Sequence, residues 1–143
     1  MITEQQVSGG GQRGHSHCLL CGEQNPLSAR LHFIALDDGS VRATFHARKE
    51  LQGYDGILHG GVICALLDAA MTHCLFHKGV QAVTGEMNIR FQESIPCHAT
   101  IEARARMVSA RAPLFWMEAE LVTNNTIKAR ATAKFMKRQE SRS

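Results

Sequence analysis

A turn of one histidine and two glycines, followed by a carboxylate within an apolar run, carries the clearest chemical signal in this sequence. His59, Gly60 and Gly61 precede the segment VICALLDAAM, in which Asp68 is the only charged residue. The first backbone N–H groups of a helix have no partner inside the helix, so such a turn can bind an electron-rich oxygen. An ionised carboxylate among apolar residues is costly unless it is paired or has a task. The pattern therefore predicts two parts of a site: a turn whose N–H groups bind the oxygen of an electrophilic group, and a buried base.

The spacing of the two groups separates them within one chain. His59 and Asp68 are nine positions apart, which on a helix is about 900° of rotation and about 13 Å of rise. Each residue also has a purely structural explanation. Asp68 could be a buried carboxylate bound to a backbone amide or an arginine, and the turn at His59 could be a plain loop-to-helix junction. If both serve one site, the site must combine His59 and Gly60 of one subunit with Asp68 of another. The sequence therefore predicts a twofold dimer with two equivalent pockets at its interface.

The surrounding elements follow from hydrophobic periodicity. A helix is predicted from about residue 60 to 77, ending at Gly79 and buried on all sides. Period-two alternation predicts strands at 30–36, 41–46, 82–93, 100–108, 114–123 and 127–136. Their inward faces are rich in alanine, which lets a helix approach closely. The predicted fold class is α+β, with a curved antiparallel sheet of five or six strands wrapped around one long central helix.

Composition excludes several classes of function. With 44% hydrophobic and 20% charged residues, the composition is typical of a globular protein. We expect one domain at 17–138, between disordered tails at 1–16 and 139–143. A formal charge of +3 is too small and too scattered to favour nucleic acid as a partner. No apolar run approaches the roughly 20 residues that span a bilayer, so no membrane partner is expected. Five cysteines without framework spacing indicate free thiols and a cytoplasmic location.

Several motifs together resemble a known family. The His59-Gly60-Gly61 turn with Asp68 nine residues after the histidine is similar to the hotdog-fold acyl-CoA thioesterases of the phenylacetyl-CoA thioesterase (PaaI-like) type, within the 4-hydroxybenzoyl-CoA thioesterase superfamily. The resemblance covers about residues 18–137. Its other matching segments are CLLCG at 18–22 with Asn25-Pro26, QGY at 52–54, and EMNIRF at 86–91 with Pro96.

The resemblance implies hydrolysis of a coenzyme A thioester between two subunits of a homodimer, assembled as a dimer of dimers, without a cofactor. It implies that Asp68 acts as general base or nucleophile, that the Gly60 N–H polarises the thioester carbonyl, that His59 helps to place it, and that Thr84 assists Asp68. The substrate-binding residues expected alongside them are Gly61, Gln52, Gly53, Asn88 and Arg90. Some members carry Asn or Gln six positions before the histidine, where this chain has Gly53, and the adjacent Gln52 could reach the same space.

Two other functions stay open at this point. The first is an acyl-thioester dehydratase or hydratase on the same fold, and the second is a non-catalytic acyl-CoA-binding protein or zinc-dependent interaction module. One or two of the arginines on the strands could bind the phosphates of coenzyme A, or all could lie on solvated faces. These arginines are Arg90, Arg104, Arg106 and Arg111.

A group of ligand-like residues lies near the N-terminus. His15, His17, Cys18 and Cys21 have the identities of a tetrahedral zinc site. A single Cys-x-x-Cys without a second pair is weak evidence for a metal. The expectation from sequence is therefore that the protein has no metal site.

Overall fold

A computed structural model describes residues 5–6 and 14–139. Most of the predicted tail 1–16, and the predicted tail 139–143 beyond its first residue, lie outside the described residues. The elements in chain order are β1 (Gln5–Gln6), β2 (Ile34–Ala35), β3 (Val41–His46), a 3₁₀ turn (Lys49–Leu51), α1 (Gly60–His77), β4 (Ala82–Phe91), β5 (Thr100–Arg111), β6 (Leu114–Thr123) and β7 (Thr126–Lys137).

The strands form one antiparallel sheet in the order β1-β2-β3-β5-β6-β7-β4, with α1 packed against it. The predicted architecture of one long helix on an antiparallel sheet is confirmed, and two of the seven strands are only two residues long. The strand predicted at 30–36 was too long. Arg30 has a φ of 52°, and Ala29 and Leu31 donate to the carbonyls of Leu19 and Leu20 rather than to a neighbouring strand. This segment therefore pairs with the N-terminal loop until residue 34.

The core lies between the inner face of the sheet and one side of α1. Leu66, Leu67 and Met71 of α1 have no exposed surface, and about half of the buried apolar residues of the sheet are alanine. These alanines include Ala43, Ala103, Ala105, Ala119, Ala129, Ala131 and Ala133. Small side chains let the helix sit close to the sheet, and the larger helix residues fill the remaining space.

The prediction that α1 is buried on all sides was wrong. Gly61 is exposed, and Cys64, Ala65, Asp68 and Thr72 are only half-buried, at the spacing of a single helix face. This exposed stripe of α1 runs beside β4, because Asp68 contacts Thr84 and Gly60 lies near Phe91. The reason is topological: among the described residues β4 is the last strand of the sheet, so no further described strand covers this side of the helix.

By length and composition alone, the 18-residue helix α1 could also cross a membrane. The sequence criterion of about 20 apolar residues did not predict this. More than half of it is buried within the fold. Its apolar residues thus serve as one side of the core.

Candidate active site

The N-terminus of α1 leaves one backbone amide available. His59 is the N-cap residue, and its Nδ1 accepts a hydrogen bond from the Gly61 N–H at 2.8 Å. The His59 carbonyl accepts from the N–H groups of Val62 and Ile63 at 3.0 and 3.2 Å. Within the described part of the chain, the Gly60 N–H has no acceptor. An exposed N–H at the positive end of a helix can bind an oxygen that carries negative charge.

The two glycines of this turn have different steric roles. A Cβ on Gly61 would lie 3.0 Å from Nδ1 of His59, so a side chain there would disturb the capping imidazole. A Cβ on Gly60 would lie 3.7 Å from the ring of Phe91, which is an ordinary contact. Gly61 therefore keeps the histidine in place, while Gly60 contributes its free N–H rather than its lack of a side chain.

Asp68 lies on the exposed stripe and is held by β4. Its Oδ1 accepts a hydrogen bond from the hydroxyl of the exposed Thr84 at 2.5 Å. Among the residues that the structure describes, Asp68 forms no ion pair, so the structural explanation of a carboxylate tied to an arginine does not apply. The hydroxyl orients the carboxylate, and a carboxylate held in this way can serve as a general base.

A β-bulge at Gly85 decides which side of β4 each residue faces. The register shifts between Thr84 and Glu86, so Thr84 lies opposite the buried Phe135 while Asn88 lies opposite the outward-facing Thr132. A Cβ on Gly85 would lie 3.3 Å from a backbone oxygen of β7, which is tight for any side chain. Sequence reasoning missed this residue, although a lone glycine in a strand is a known sign of a bulge.

Because of the bulge, the predicted site residues divide between two faces of the sheet. Thr84 shares the inner face with Asp68, whereas Asn88 and Arg90 lie on the outer face. Asn88 and Arg90 line a groove of about 520 Å³ between β4 and β7, together with Arg130. In one chain they do not converge on Asp68.

The free amide and the carboxylate lie at opposite ends of β4. Asp68 contacts Thr84 near the start of the strand, and Gly60 lies beside Phe91 at its end. Gly60 and Asp68 are themselves eight residues apart on α1, a rise of about 12 Å. No single carbonyl group could touch both ends within one chain.

The loop before α1 packs against the turn but does not bring its glutamine to Asp68. The side-chain oxygen of Gln52 accepts from the Gly56 N–H at 3.1 Å and so closes its own loop. Gly53 lies against His59, where a Cβ would be 3.4 Å from the histidine Cα. The backbone N–H of His59 donates to Leu51 at 2.9 Å, which fixes the turn to this loop.

The strand arginines differ in their partners. Arg104 forms ion pairs with Glu102 at 2.6 Å and Glu120 at 3.4 Å, and Arg106 pairs with Glu118. Arg90 lies directly opposite another cation, Arg130 on β7, just as Arg104 lies opposite Arg42 on β3. Neither Arg90 nor Arg130 forms an ion pair with a carboxylate in the described residues.

Comparison with known proteins identifies the family. The profile of the thioesterase superfamily matches residues 55–129, which is more than half of the chain and includes both His59 and Asp68. The chain belongs to the thioesterase superfamily. It is 28% identical over 109 residues to MIOREX complex component 3 of Saccharomyces cerevisiae, an alignment that covers 75% of this chain and 40% of that protein. It is 27% identical over 95 residues to the acyl-coenzyme A thioesterase THEM4 of Mus musculus, with coverage of 65% and 41%. The chain therefore spans about two fifths of the length of these relatives.

Solved structures of this superfamily share the fold. A crystal structure of a thioesterase superfamily protein aligns with a TM-score of 0.80 at 23% identity, over 85% of this chain and 60% of that one. The Escherichia coli PaaI protein of the phenylacetic acid degradation operon aligns with a TM-score of 0.72 at 20% identity, over 78% of this chain and 81% of that one. A Streptococcus mutans protein bound to acetyl CoA aligns with a TM-score of 0.68 at 22% identity, over 73% of this chain and 85% of that one. The predicted PaaI-like hotdog fold is confirmed.

Proposed function

We propose that this chain hydrolyses acyl-CoA thioesters in a pocket shared by two copies, with Asp68 from one and the Gly60 N–H from the other. The observation that carries the proposal is the position of these two groups at opposite ends of the open strand β4. The printed function of THEM4 as an acyl-CoA thioesterase, and the acetyl CoA bound to the Streptococcus mutans protein, support coenzyme A esters as the substrate class.

An antiparallel pair of β4 strands would bring the two groups together. In the part of the chain that the structure describes, the outer edge of β4 has no neighbouring strand along its ten residues, and such an edge is the usual template for adding another strand. In an antiparallel pair centred on Asn88, Phe91 of one copy lies opposite the bulge at Thr84 and Gly85 of the other. The Gly60 turn beside Phe91 would then approach Asp68 beside Thr84, and the twofold axis would generate two such sites.

The apolar surface along this edge supports the same pairing. Val83 and Phe91 are each 54% exposed in the single chain. The exposed stripe of α1 beside them adds the half-buried Cys64 and Ala65. Association through β4 would remove this surface from water and would leave Asp68 in a more enclosed environment. A dimer of dimers and a cytoplasmic location remain predictions from sequence.

The geometry then accounts for each chemical step. The Gly60 N–H donates to the thioester oxygen as it gains charge, aided by the positive end of α1. Asp68 takes a proton from a water molecule whose oxygen bonds to the carbonyl carbon, or attacks that carbon itself. The C–S bond breaks, and the coenzyme A thiolate leaves and takes up a proton. When water is the nucleophile the acid is released directly, whereas attack by Asp68 gives a mixed anhydride that a water molecule then hydrolyses to the acid and free Asp68. Thr84 holds Oδ1 of Asp68 and leaves Oδ2 directed at the reaction.

Arg90 and Arg130 provide the best candidate site for the phosphates of coenzyme A. Like charges directly opposite on neighbouring strands are unfavourable unless an anion lies between them. The other paired arginines of the sheet, Arg104 and Arg106, are already neutralised by glutamates. Arg90 and Arg130 share their groove with the polar Asn88 and Gln92, which could add hydrogen bonds to phosphate oxygens.

A direct assay tests the activity. The chain is incubated with acetyl-, medium-chain, long-chain and aromatic acyl-CoA, and release of free coenzyme A thiol is followed. We expect sustained turnover of at least one ester. No thiol release from any member of the panel, with the protein folded and dimeric, would contradict the proposal.

A mixing experiment tests whether the site is shared. Gly60→Pro removes the N–H in one preparation and Asp68→Asn removes the base in another, and the two inactive proteins are dissociated and reassociated together. If each site combines Gly60 and Asp68 from different copies, random pairing restores one intact site in half of the dimers, or about a quarter of wild-type activity. No recovery in a mixture that demonstrably exchanges subunits would place both groups in one chain and refute the shared site.

A further inference from the structure

A compact cluster of sulfur and nitrogen ligands lies in the loop before the sheet, away from the candidate active site. The ligand atoms of His15, Cys18 and Cys21 lie within 4.8 Å of one another, and all three residues are half-buried. Cys21 Sγ is 3.5 Å from Nδ1 of His15. The His15 ring packs edge-on against Phe76, at 4.8 Å between centroids. Phe76 is eight residues beyond Asp68 on α1, or about 12 Å along the helix.

The backbone of this loop is folded tightly around Cys18. The Cys18 carbonyl accepts from the Gly22 N–H at 2.9 Å, and Cys18 Sγ accepts from the Leu20 N–H at 3.4 Å. A Cβ on Gly22 would lie 2.4 Å from the Cys18 nitrogen and 2.6 Å from the Ser16 oxygen, so only glycine fits. This turn holds the two sulfur atoms on one side of the loop.

We propose that His15, Cys18 and Cys21 form a zinc site with three protein ligands and a fourth position for water or another donor. Zinc prefers a tetrahedron of thiolate and imidazole ligands at about 2.3 and 2.0 Å, which places ligand atoms roughly 3.5–3.8 Å apart. Small side-chain rotations would therefore complete the geometry. Each cysteine releases one proton to solvent on binding, the imidazole binds in its neutral form, and no oxidation or reduction takes place.

His17 does not belong to the ligand set, although its type and spacing would allow it. Its Nδ1 lies 3.2 Å from the Ser16 hydroxyl, and its carbonyl accepts from the Asn25 side chain at 3.2 Å. The four residues that the sequence offered are thus reduced to three. His17 provides a matched control, because it is the same residue type two positions from His15.

The position of the cluster indicates a structural role for the metal. Residues 14–33 contain no helix or strand in the described structure, and the backbone hydrogen bonds that tie the loop to itself include those from Gln24, Ala29 and Leu31. A zinc ion would fix the loop as one unit against the end of α1, through the contact between His15 and Phe76. It would stabilise the fold without taking part in chemistry at Asp68.

Metal content measured on the untagged full chain tests the proposal. After loading with equimolar zinc and dialysis, elemental analysis is expected to find about one zinc per wild-type chain. His15→Ala, Cys18→Ser and Cys21→Ser are expected to lose most of it, whereas His17→Ala retains it. Chelation is expected to lower the wild-type Tm by roughly 5 °C or more.

Cobalt substitution in the wild-type chain keeps the test decisive if the cysteine variants do not fold. Cobalt(II) bound by two thiolates gives a sulfur-to-cobalt charge-transfer band and the visible spectrum of a tetrahedral site. Their absence, or an octahedral spectrum, would overturn the proposal. So would a zinc-free wild-type protein after loading, retention of zinc in the folded cysteine variants, or a Cys18–Cys21 disulfide in protein prepared without oxygen.

Discussion

The two faces of α1 differ in what covers them, and this difference separates folding from chemistry. On the covered face, Leu66, Ala70, Met71 and Cys74 have no exposed surface. On the exposed stripe, Asp68 is half-buried and is held by the hydroxyl of Thr84, an exposed residue. The larger apolar side chains lie on the covered face, whereas the stripe carries small or polar residues. The end of the sheet at β4 determines which residues remain available to a ligand or to a second copy.

The largest effect is expected from removing the carboxylate on the exposed stripe. Asp68→Asn keeps the size of the side chain and an acceptor for Thr84 but removes its basicity. We expect kcat to fall by about 10⁴-fold, at the upper end of the range for loss of a general base. Steady-state kinetics with the best ester of the panel measure the effect.

The matched control for this substitution is Asp38→Asn. This substitution makes the same chemical change in an exposed turn, where Asp38 accepts a hydrogen bond from the Ser40 N–H at 2.9 Å. Its activity should equal that of the wild type. If Asp68→Asn keeps more than about a tenth of wild-type kcat, the assignment of the base is wrong.

The second effect concerns the free amide at the start of α1. Gly60 is the first helical residue, and His59 has φ −60° and ψ 135°, a conformation that a following proline allows. Gly60→Pro therefore removes the N–H while the helix can persist. We expect kcat/KM to fall by about 10²–10³-fold, the usual loss for one oxyanion donor.

Gly60→Ala is the informative comparison, because it keeps the N–H and adds only a methyl group in ordinary contact with Phe91. It should retain most of the activity, with a circular dichroism spectrum like that of the proline variant. Equal losses in both variants would show that space at residue 60, rather than its N–H, limits the reaction.

A smaller effect is expected where β4 holds Asp68. Thr84→Val removes the hydroxyl but keeps the shape, and we expect kcat to fall about tenfold, the equivalent of one hydrogen bond. Thr84→Ser keeps the hydroxyl and should lie near the wild type. If kcat differs between the two variants while KM stays equal, the hydroxyl acts by orienting Asp68. A change in KM would indicate an effect on substrate binding instead. A serine variant as impaired as valine would argue against this role.

The sequence was sufficient for the fold but only for part of the site. Alternating residues in four strands and one apolar helix determine the sheet and the core, because those patterns depend on burial alone. The face of Thr84 relative to that of Asn88 could not be predicted in the same way, since one bulge at Gly85 interrupts the alternation of β4. The exposure of the stripe around Asp68 also escaped prediction, because it depends on which strand ends the sheet.

The smallest effect on activity, and a distinct effect on stability, is expected from a histidine on the covered face of α1. His73 is 1% exposed, stacks on Phe33 at 4.6 Å between centroids, and neither of its ring nitrogens has a partner in the described structure. Burial, with smaller contributions from His15 and His32, lowers the pKa of His73 to about 4. The folded state therefore prefers the neutral ring, in contrast to the exposed stripe, where charge is tolerated.

The direction of the pH effect follows from this lowered pKa. Between pH 6.5 and pH 4 the unfolded chain binds a proton at His73 that the folded chain does not, so stability decreases as the pH falls through this range. The loss attributable to this residue is at most about 3 kcal/mol. Urea unfolding at pH 7 and pH 5 measures it. His73→Leu should show a weaker pH dependence, with unchanged kcat at pH 7, and an identical pH dependence in both proteins would mean that other groups cause the acid sensitivity.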